Sequence, residues 1–309
     1  MDLFADQSAS PMLIAEMQKP FDNTDYIYEL KLDGERCLAY LDKDSAALRN
    51  KRDFNLNIRF PELSEIYKAV NVKCILDGEI TVFTNGKPDF SIVQRRSLLT
   101  NQMKVDLLAT RYPACFTAFD ILYYNDHQVT DMPLMERKKL LNQAVAENNR
   151  ISISRYIEGK GVEFYNLVVG QQLEGVVAKR KDSLYHMGKR TKDWIKFKRL
   201  LDDDFVVCGS QQKRTGTSIV LGQYKGNDLV YKGNVSSGVS ETAYCSILKA
   251  DKSICPFPVI PKGNEGAIWI RPDLVCIVQW MPRQNGALNQ AVFKGLRDDK
   301  APKECVTIG

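Results

Sequence analysis

Glu29-Leu30-Lys31-Leu32-Asp33-Gly34-Glu35-Arg36 is an E-x-K-x-D-G-x-R string. A lysine amine can attack the α-phosphate of a nucleotide only when it is unprotonated and in line with the leaving pyrophosphate. An ordinary lysine pKa is about 10.4, so a site must lower it by partial burial or a nearby cation. Asp33 can orient the amine or a metal. Gly34 lets the backbone turn tightly, and Arg36 offers a rigid charged fork for a ribose or phosphate oxygen. Taken alone, the string also fits a strand that ends in a charged turn.

Working outward, 309 residues suffice for two domains. Hydrophobic residues make up 44%, enough for a packed core. No stretch approaches the roughly 20 apolar residues of a membrane helix. The first residues lack a basic segment followed by an apolar one, so no secretory signal is expected. Eight cysteines form no C-x-x-C pair and read as free thiols. His127 and His186 read as loop residues, not metal ligands. The net charge of +5 permits nucleic-acid binding without demanding it. From Lys179 to Arg199, nine Lys or Arg face two Asp, and Tyr185, Trp194, Ile195 and Phe197 interrupt the run. That alternation suits a strand with some lysines in a site and others meeting phosphates, although a solvated face gives the same charge count.

Residues 26–30 and 36–41 read as strands flanking Lys31. A helix is expected from Phe60 to about Ala69, opened by Pro61. Cys74 to Phe83 reads as a strand broken at Asp77-Gly78. Phe90 to Thr110 reads as a helix, Phe116 to Tyr124 as a strand, and Pro133 to Asn148 and Gly161 to Gln171 as helices. Strands at Gly175 to Lys179 and Trp194 to Lys198 follow. Asp202-Asp203-Asp204 is an acidic hinge candidate. Beyond it, short β-rich runs separated by glycine turns (205–209, 218–224, 228–233) suit a small β-barrel.

Four further segments follow the string in order: Asp77-Gly78-Glu79, Phe119-Asp120, Glu174-Gly175-Val176-Val177-Ala178-Lys179, and Trp194-Ile195-Lys196-Phe197-Lys198. With Lys31 they resemble the ATP-dependent DNA ligases of the covalent nucleotidyltransferase superfamily. Phe293-Lys294-Gly295-Leu296-Arg297-Asp298-Asp299-Lys300 resembles the sixth motif of that family, which extends the likeness over nearly the whole chain. The resemblance implies an α+β chain. An ATP-grasp-like nucleotidyltransferase domain of antiparallel sheets and helices would span residues 1–200, and an all-β OB-fold domain residues 201–309. It is most similar to a minimal two-domain ligase, like the ligase module of bacterial end-joining repair enzymes. Such a protein would act in a prokaryotic cytoplasm at the nucleoid, or as a viral protein in a host cell.

By that resemblance Lys31 is the adenylated nucleophile. The nucleotide contacts would be Glu29, Arg36, Glu79, Phe119 stacked on adenine, Lys196, Lys198, and one of two arginines. Arg49 and Arg52 both match loosely, and the spacing to Phe60 favours Arg52. Glu174, with Glu79, would hold Mg2+, for which Mn2+ can substitute. Arg297 and Lys300 would orient pyrophosphate in the first step. Lys179, Arg190 and Lys192 would contact DNA phosphates. Lys196 and Lys198 share one face of a strand and would depress the pKa of Lys31. The implied substrates are ATP and nicked double-stranded DNA. The protein is expected to be a monomer, with no membrane association and with recruitment by repair or replication proteins. A hinge at Leu200 to Asp204 would let the second domain close on the first and then open for DNA. Three rivals stay open: a capping-type guanylyltransferase using GTP, an RNA ligase, and a non-catalytic nucleic-acid-binding protein.

Overall fold

The structure, a computed structural model, describes residues 2–213, 216–282 and 287–307. The chain divides into two compact units, Met1–Lys198 and Arg199–Gly309.

Two sheets build the first unit. One has the order β1 (Leu13–Met17), β12 (Arg190–Lys198), β11 (Gly175–Arg180), β2 (Tyr26–Leu30) and β10 (Tyr156–Glu158). The other runs β4 (Ser45–Asn50), β3 (Glu35–Asp42), β5 (Cys74–Thr84), β7 (Ala114–Tyr124) and β8 (His127–Gln128). The short strands β6 (Lys87–Pro88) and β9 (Ile151–Ile153) pair with β5 and β7.

Strand alternation sorts each sheet into two faces. On the first sheet Tyr28, Val176, Ala178, Ile195 and Phe197 form a core with helix α4 (Gly161–Gly170). On the second, Cys37, Ala39, Leu41, Leu76, Ile80, Phe116 and Ala118 pack with residues of α1 (Phe90–Ser97) and α3 (Leu134–Ala144). The remaining faces meet each other. Leu38, Tyr40, Ile75 and Leu122 from one sheet share a cluster with Val177 and Trp194 from the other and with Met12 and Tyr185 from the segments leading into its strands. The candidate site lies in this layer between the sheets.

Several local expectations change. The single helix expected over 90–110 is two, α1 and α2 (Gln102–Arg111). Asp89 accepts from the Ser91 and Ile92 amides and Asn101 from the Lys104 amide, so each helix has its own N-cap. The stretch from Phe60 is two 3-10 turns, Pro61–Leu63 and Ile66–Ala69. Asp77-Gly78 does not break its strand. β5 is continuous, and its register with β7 shifts there: Asp77 faces Asp120, Gly78 faces Ala118, and Phe119 is the extra residue. All eight cysteines are free.

The second unit is a sheet of order β15 (Asp228–Val235), β14 (Gly216–Lys225), β13 (Leu201–Lys213), β16 (Ile268–Pro282) and β17 (Leu288–Arg297). Its ends approach each other, and the Phe293 N–H donates to Ser237 O at 2.8 Å just beyond β15. That curl gives the partly closed five-stranded barrel of an OB-fold. A helix, α5 (Glu241–Lys249), is added after β15, capped by Ser240. The acidic run expected to be a hinge lies inside β13: Asp202, Asp203 and Asp204 pair with Gln279, Val278 and Ile277 of β16. Among the described residues no helix is long and apolar enough to cross a membrane.

Candidate active site

Strand register assembles the site. The Lys31 amide donates to Gly175 O at 2.9 Å, and Gly175 pairs with Lys198. Lys31, the Glu174–Gly175 corner and Lys198 therefore form one row across three strands. In the next row Glu29 pairs with Val177, and Val177 with Lys196. In the row beyond, Lys179 pairs with Trp194. Antiparallel partners share a face, so these side chains all point into the layer between the sheets. From the second sheet Arg36 pairs with Glu79, and the bulge re-aims Phe119 toward the same space. The resulting cleft is lined by Ile14, Glu29, Leu30, Lys31, Leu32, Arg36, Glu79, Phe119, Val177, Lys179 and Trp194.

Lys31 Nζ donates to Glu174 Oε2 at 2.8 Å, and Lys198 Nζ lies 3.6 Å from Glu174 Oε1. Burial by itself lowers the Lys31 pKa, but the Glu174 charge and hydrogen bond, with Glu79 and Asp33, outweigh it and raise the pKa. The sequence predicts a depressed Lys31. In the structure Glu174 favours the protonated form instead. The depression falls on its neighbours. Burial lowers Lys198, with the Lys31 and Lys196 charges adding to it, and burial lowers Lys196 with help from Lys31 and Arg190. Burial pushes Glu79 up to about 8 against the pull of Arg36 and Lys31.

Arg36 is held by Asp77. Its Nε and Nη2 each donate to that carboxylate at 2.6 Å, and the Tyr185 hydroxyl donates to the same Asp77 at 2.5 Å. The guanidinium sits 4.5 Å from the Phe119 ring centroid, a cation–π distance. Fully buried Asp120 takes both Nε and Nη2 of Arg137, which also donates to Met132 O and Ser183 O. That pair fixes the strand segment next to Phe119.

Glu29 is buried between two lysines. Lys179 Nζ donates to its Oε2 at 3.0 Å, and Lys138 of α3 is ion-paired with its Oε1. Lys179 also lies 4.4 Å from the Phe119 centroid and 4.2 Å from a Trp194 ring centroid. Burial brings its pKa down to about 8. The expectation that Lys179 meets DNA phosphates is therefore corrected: at 2% exposure it belongs to the floor of the cleft. Arg190 and Lys192 are exposed, Arg190 donating to Ile14 O and Lys192 pairing with Glu16. Arg52 sits on an exposed turn, while Arg49 is half-buried and donates to Gln7 Oε1. Neither arginine lines the cleft. Arg297 and Lys300 both pair with Asp204 in the second unit.

Sequence reasoning missed Lys138, Asp77, Tyr185 and the Asp120–Arg137 pair as supports. Asp77 and Asp120 lie inside segments already singled out, and Tyr185 is one of the aromatic residues that interrupt the Lys179–Arg199 run. A lysine on the buried side of a helix has no such signal.

The donor set bears on a metal. Glu79 interacts electrostatically with Glu174 and Lys31. Among the described residues no group of three or more His, Cys, Asp or Glu is placed to hold an ion. Two carboxylates with substrate phosphates completing the shell suit Mg2+, which is seldom caged by protein alone.

The family model for the ATP dependent DNA ligase domain matches residues 7–198, and that for the ATP dependent DNA ligase C terminal region matches residues 212–300. The chain belongs to the ATP-dependent DNA ligase family. Among its relatives, a DNA ligase of Thermococcus fumicolans is 30% identical over 91% of this chain and 53% of the relative. The multifunctional non-homologous end joining protein LigD of Mycobacterium bovis is 28% identical over 91% of this chain and 37% of the relative. This ligase-family chain thus spans about half or less of the length of these curated relatives. A solved structure of mycobacterial DNA ligase D complexed with ATP and MES has 26% identity and a TM-score of 0.56, covering 96% of this chain and 98% of that one. A Lig E DNA ligase structure, with 16% identity and a TM-score of 0.64 over 93% and 99% of the two chains, shares the fold.

Proposed function

We propose that the chain seals nicks in duplex DNA using ATP, through an AMP carried on Lys31 and then on the 5′-phosphate of the nick. The carrying observation is the row in which Lys31, Glu174 and Lys198 meet at 2.8 and 3.6 Å beside a cleft walled by Phe119 and Trp194. In the first step the Lys31 amine gives its proton to solvent or substrate. Nζ then bonds to the α-phosphorus, and the bond to the bridging oxygen breaks, with pyrophosphate leaving with the electron pair. Next a 5′-phosphate oxygen at the nick bonds to the AMP phosphorus and the P–N bond breaks, Lys31 leaving with the electron pair and regaining a proton from solvent. Last, the 3′-hydroxyl oxygen gives its proton to solvent and bonds to the 5′-phosphorus, and the bridging P–O bond breaks with AMP leaving with the electron pair.

Each transition state spreads negative charge over phosphoryl oxygens, so fixed cations stabilise it. Lys198 and Lys196 stand in adjacent rows on the Lys31 face and fit the α-phosphate and leaving group. The Glu174–Lys31 pair favours the cationic amine, so Lys31 becomes nucleophilic only once that proton has left. Glu174 and Glu79 would hold Mg2+, which supplies Lewis-acid neutralisation of the phosphates. Phe119, Trp194, Ile14 and Val177 give the base an apolar slot, with Glu29 as acceptor and Lys179 as donor at its floor. Arg36, fixed by Asp77, fits a ribose or phosphate oxygen. Arg297 and Lys300 act on pyrophosphate in the first step, and exposed Arg190 and Lys192 meet DNA phosphates. The protein acts as a cytoplasmic monomer, recruited to breaks by other repair or replication proteins.

Incubation with labelled ATP or GTP, followed by denaturing electrophoresis, tests the reading. Label from ATP but not GTP should stay on the protein, and nicked DNA, not nicked RNA, should discharge it. Label from GTP, label retained by Lys31→Ala, or no label at all would overturn it.

A further inference from the structure

Asp204 was expected in a hinge, and β13 places it elsewhere. It pairs with Ile277 of β16, and Ile277 pairs in turn with Gly295 of β17. Nothing lies within 4 Å of where a Cβ on Gly295 would stand, so the surface beside Asp204 is open. Arg297, two residues along β17, reaches across it. Its Nη1 donates to both carboxylate oxygens of Asp204, at 3.1 and 3.0 Å. Lys300 Nζ donates to Asp204 Oδ2 at 2.6 Å. Asp299 takes the other edge of Arg297, accepting from Nε at 2.8 Å and Nη2 at 2.6 Å.

Two cations converging on one carboxylate repel each other, but the hydrogen bond and charge of Asp204 outweigh burial and the Arg297 charge and raise the Lys300 pKa. Without the shared anion Arg297 would stay with Asp299 while Lys300 moved away from it, because like charges close together cost energy and ordering long side chains costs entropy. Asp204 is suited to prevent this. It sits on a central strand with backbone partners on one side at Ile277, while its main-chain oxygen accepts from Gln223 Nε2 of β14 at 3.0 Å. Its side chain is only 13% exposed. The two cations come from an edge strand and the segment after it. A carboxylate on a strand paired on both sides thus fixes the spacing of the two cations.

We propose that Asp204 is a positioning residue which holds Arg297 and Lys300 as a paired clamp for the two phosphoryl groups of pyrophosphate. This rests on the reading of Arg297 and Lys300 given above. It assigns a first-step role to a residue of the acidic run that touches no substrate itself.

The test uses the full chain and three single-turnover measurements: AMP transfer from ATP, the reverse reaction of the AMP-protein with pyrophosphate, and sealing of a nick that already carries 5′-AMP. Asp204→Asn removes the charge and keeps the shape. Loss of charge-assisted hydrogen bonding should slow AMP transfer about tenfold or more and raise the apparent KM for pyrophosphate, with sealing of the pre-adenylated nick unchanged. Asp204→Glu, which keeps the charge, should recover most of the loss. Equal losses in transfer and sealing would make Asp204 merely structural, and faster transfer would make it a mask over the cations. Either result overturns the proposal. Arg297→Ala and Lys300→Ala separate the two readings. If they lose AMP transfer while Asp204→Asn does not, positioning by Asp204 fails alone. If they keep it, the role of the C-terminal cations fails and the Asp204 proposal falls with it.

Discussion

Gly34→Ala is the sharpest test of how the Lys31 turn is built. The sequence suggests that Gly34 is there for a tight turn. In the structure Gly34 is not among the residues with positive φ. What it provides is space. A Cβ built on it would lie 2.2 Å from Ile80 O and 2.9 Å from Glu79 Cγ. Contacts of 3.0–3.4 Å are already tight, so the turn and β5 must part by about 1 Å. Lys31 is three residues away on the same turn, and Glu79 is one of the displaced groups. A misplacement of about 1 Å at a reacting group costs on the order of 100-fold in rate. The overpacking itself costs about 1–3 kcal/mol of stability, so the protein should still fold. Single-turnover AMP transfer from ATP and a thermal melt, run on the same preparation, give both quantities. Gly188→Ala is the control. Gly188 has φ +68°, and its Cβ would meet only Ser10 Cβ at 3.6 Å. That variant should lose about 1 kcal/mol through backbone strain and keep its rate. Near-normal transfer by Gly34→Ala would refute the steric account of the turn.

Other outcomes follow from the same geometry. Lys31→Ala should abolish covalent AMP while the melt stays close to wild type, and an amine-linked adduct surviving in it would remove Lys31 from its role. Because Glu174 raises the Lys31 pKa, wild-type AMP transfer under single-turnover conditions should climb with pH through the neutral and mildly alkaline range; a flat profile would contradict a protonated resting lysine. Glu174→Gln should cut transfer by 100-fold or so, as loss of a transition-state contact does, while ATP still binds by equilibrium dialysis, and full activity of wild type in excess chelator would contradict the metal role. Asp120→Ala strands the buried Arg137 guanidinium and should cost about 3–5 kcal/mol in urea unfolding, with Asp120→Ala/Arg137→Leu recovering much of it. The Asp120 pKa is lowered, burial raising it but the Arg137 charge and hydrogen bond prevailing. Its stabilisation is therefore complete above the ordinary carboxylate value of 3.8 and is lost as pH falls through the lower folded value.

Glu29 to Arg36, Glu79, Phe119, Glu174, Lys196 and Lys198 stand out in the sequence because their segments resemble the ligase family's motifs in order, and short-range strand alternation sets which of them share a face. Even the β-rich second half is visible from its glycine turns. Pairing across the chain decided the rest. Lys179 lies in a run of charges and reads as a surface residue, yet the Trp194 and Phe119 rings and Glu29 close over it, contacts that span up to 150 residues. Lys138 is an ordinary helical lysine until α3 docks its buried side against the sheet beside Glu29. The raised pKa of Lys31 depends on a glutamate 143 residues away. The acidic run looked like a hinge because composition alone cannot tell a solvated linker from a strand whose carboxylate answers cations at the other end of the domain. Electrostatics and burial act through space, so only the folded chain could decide these charges.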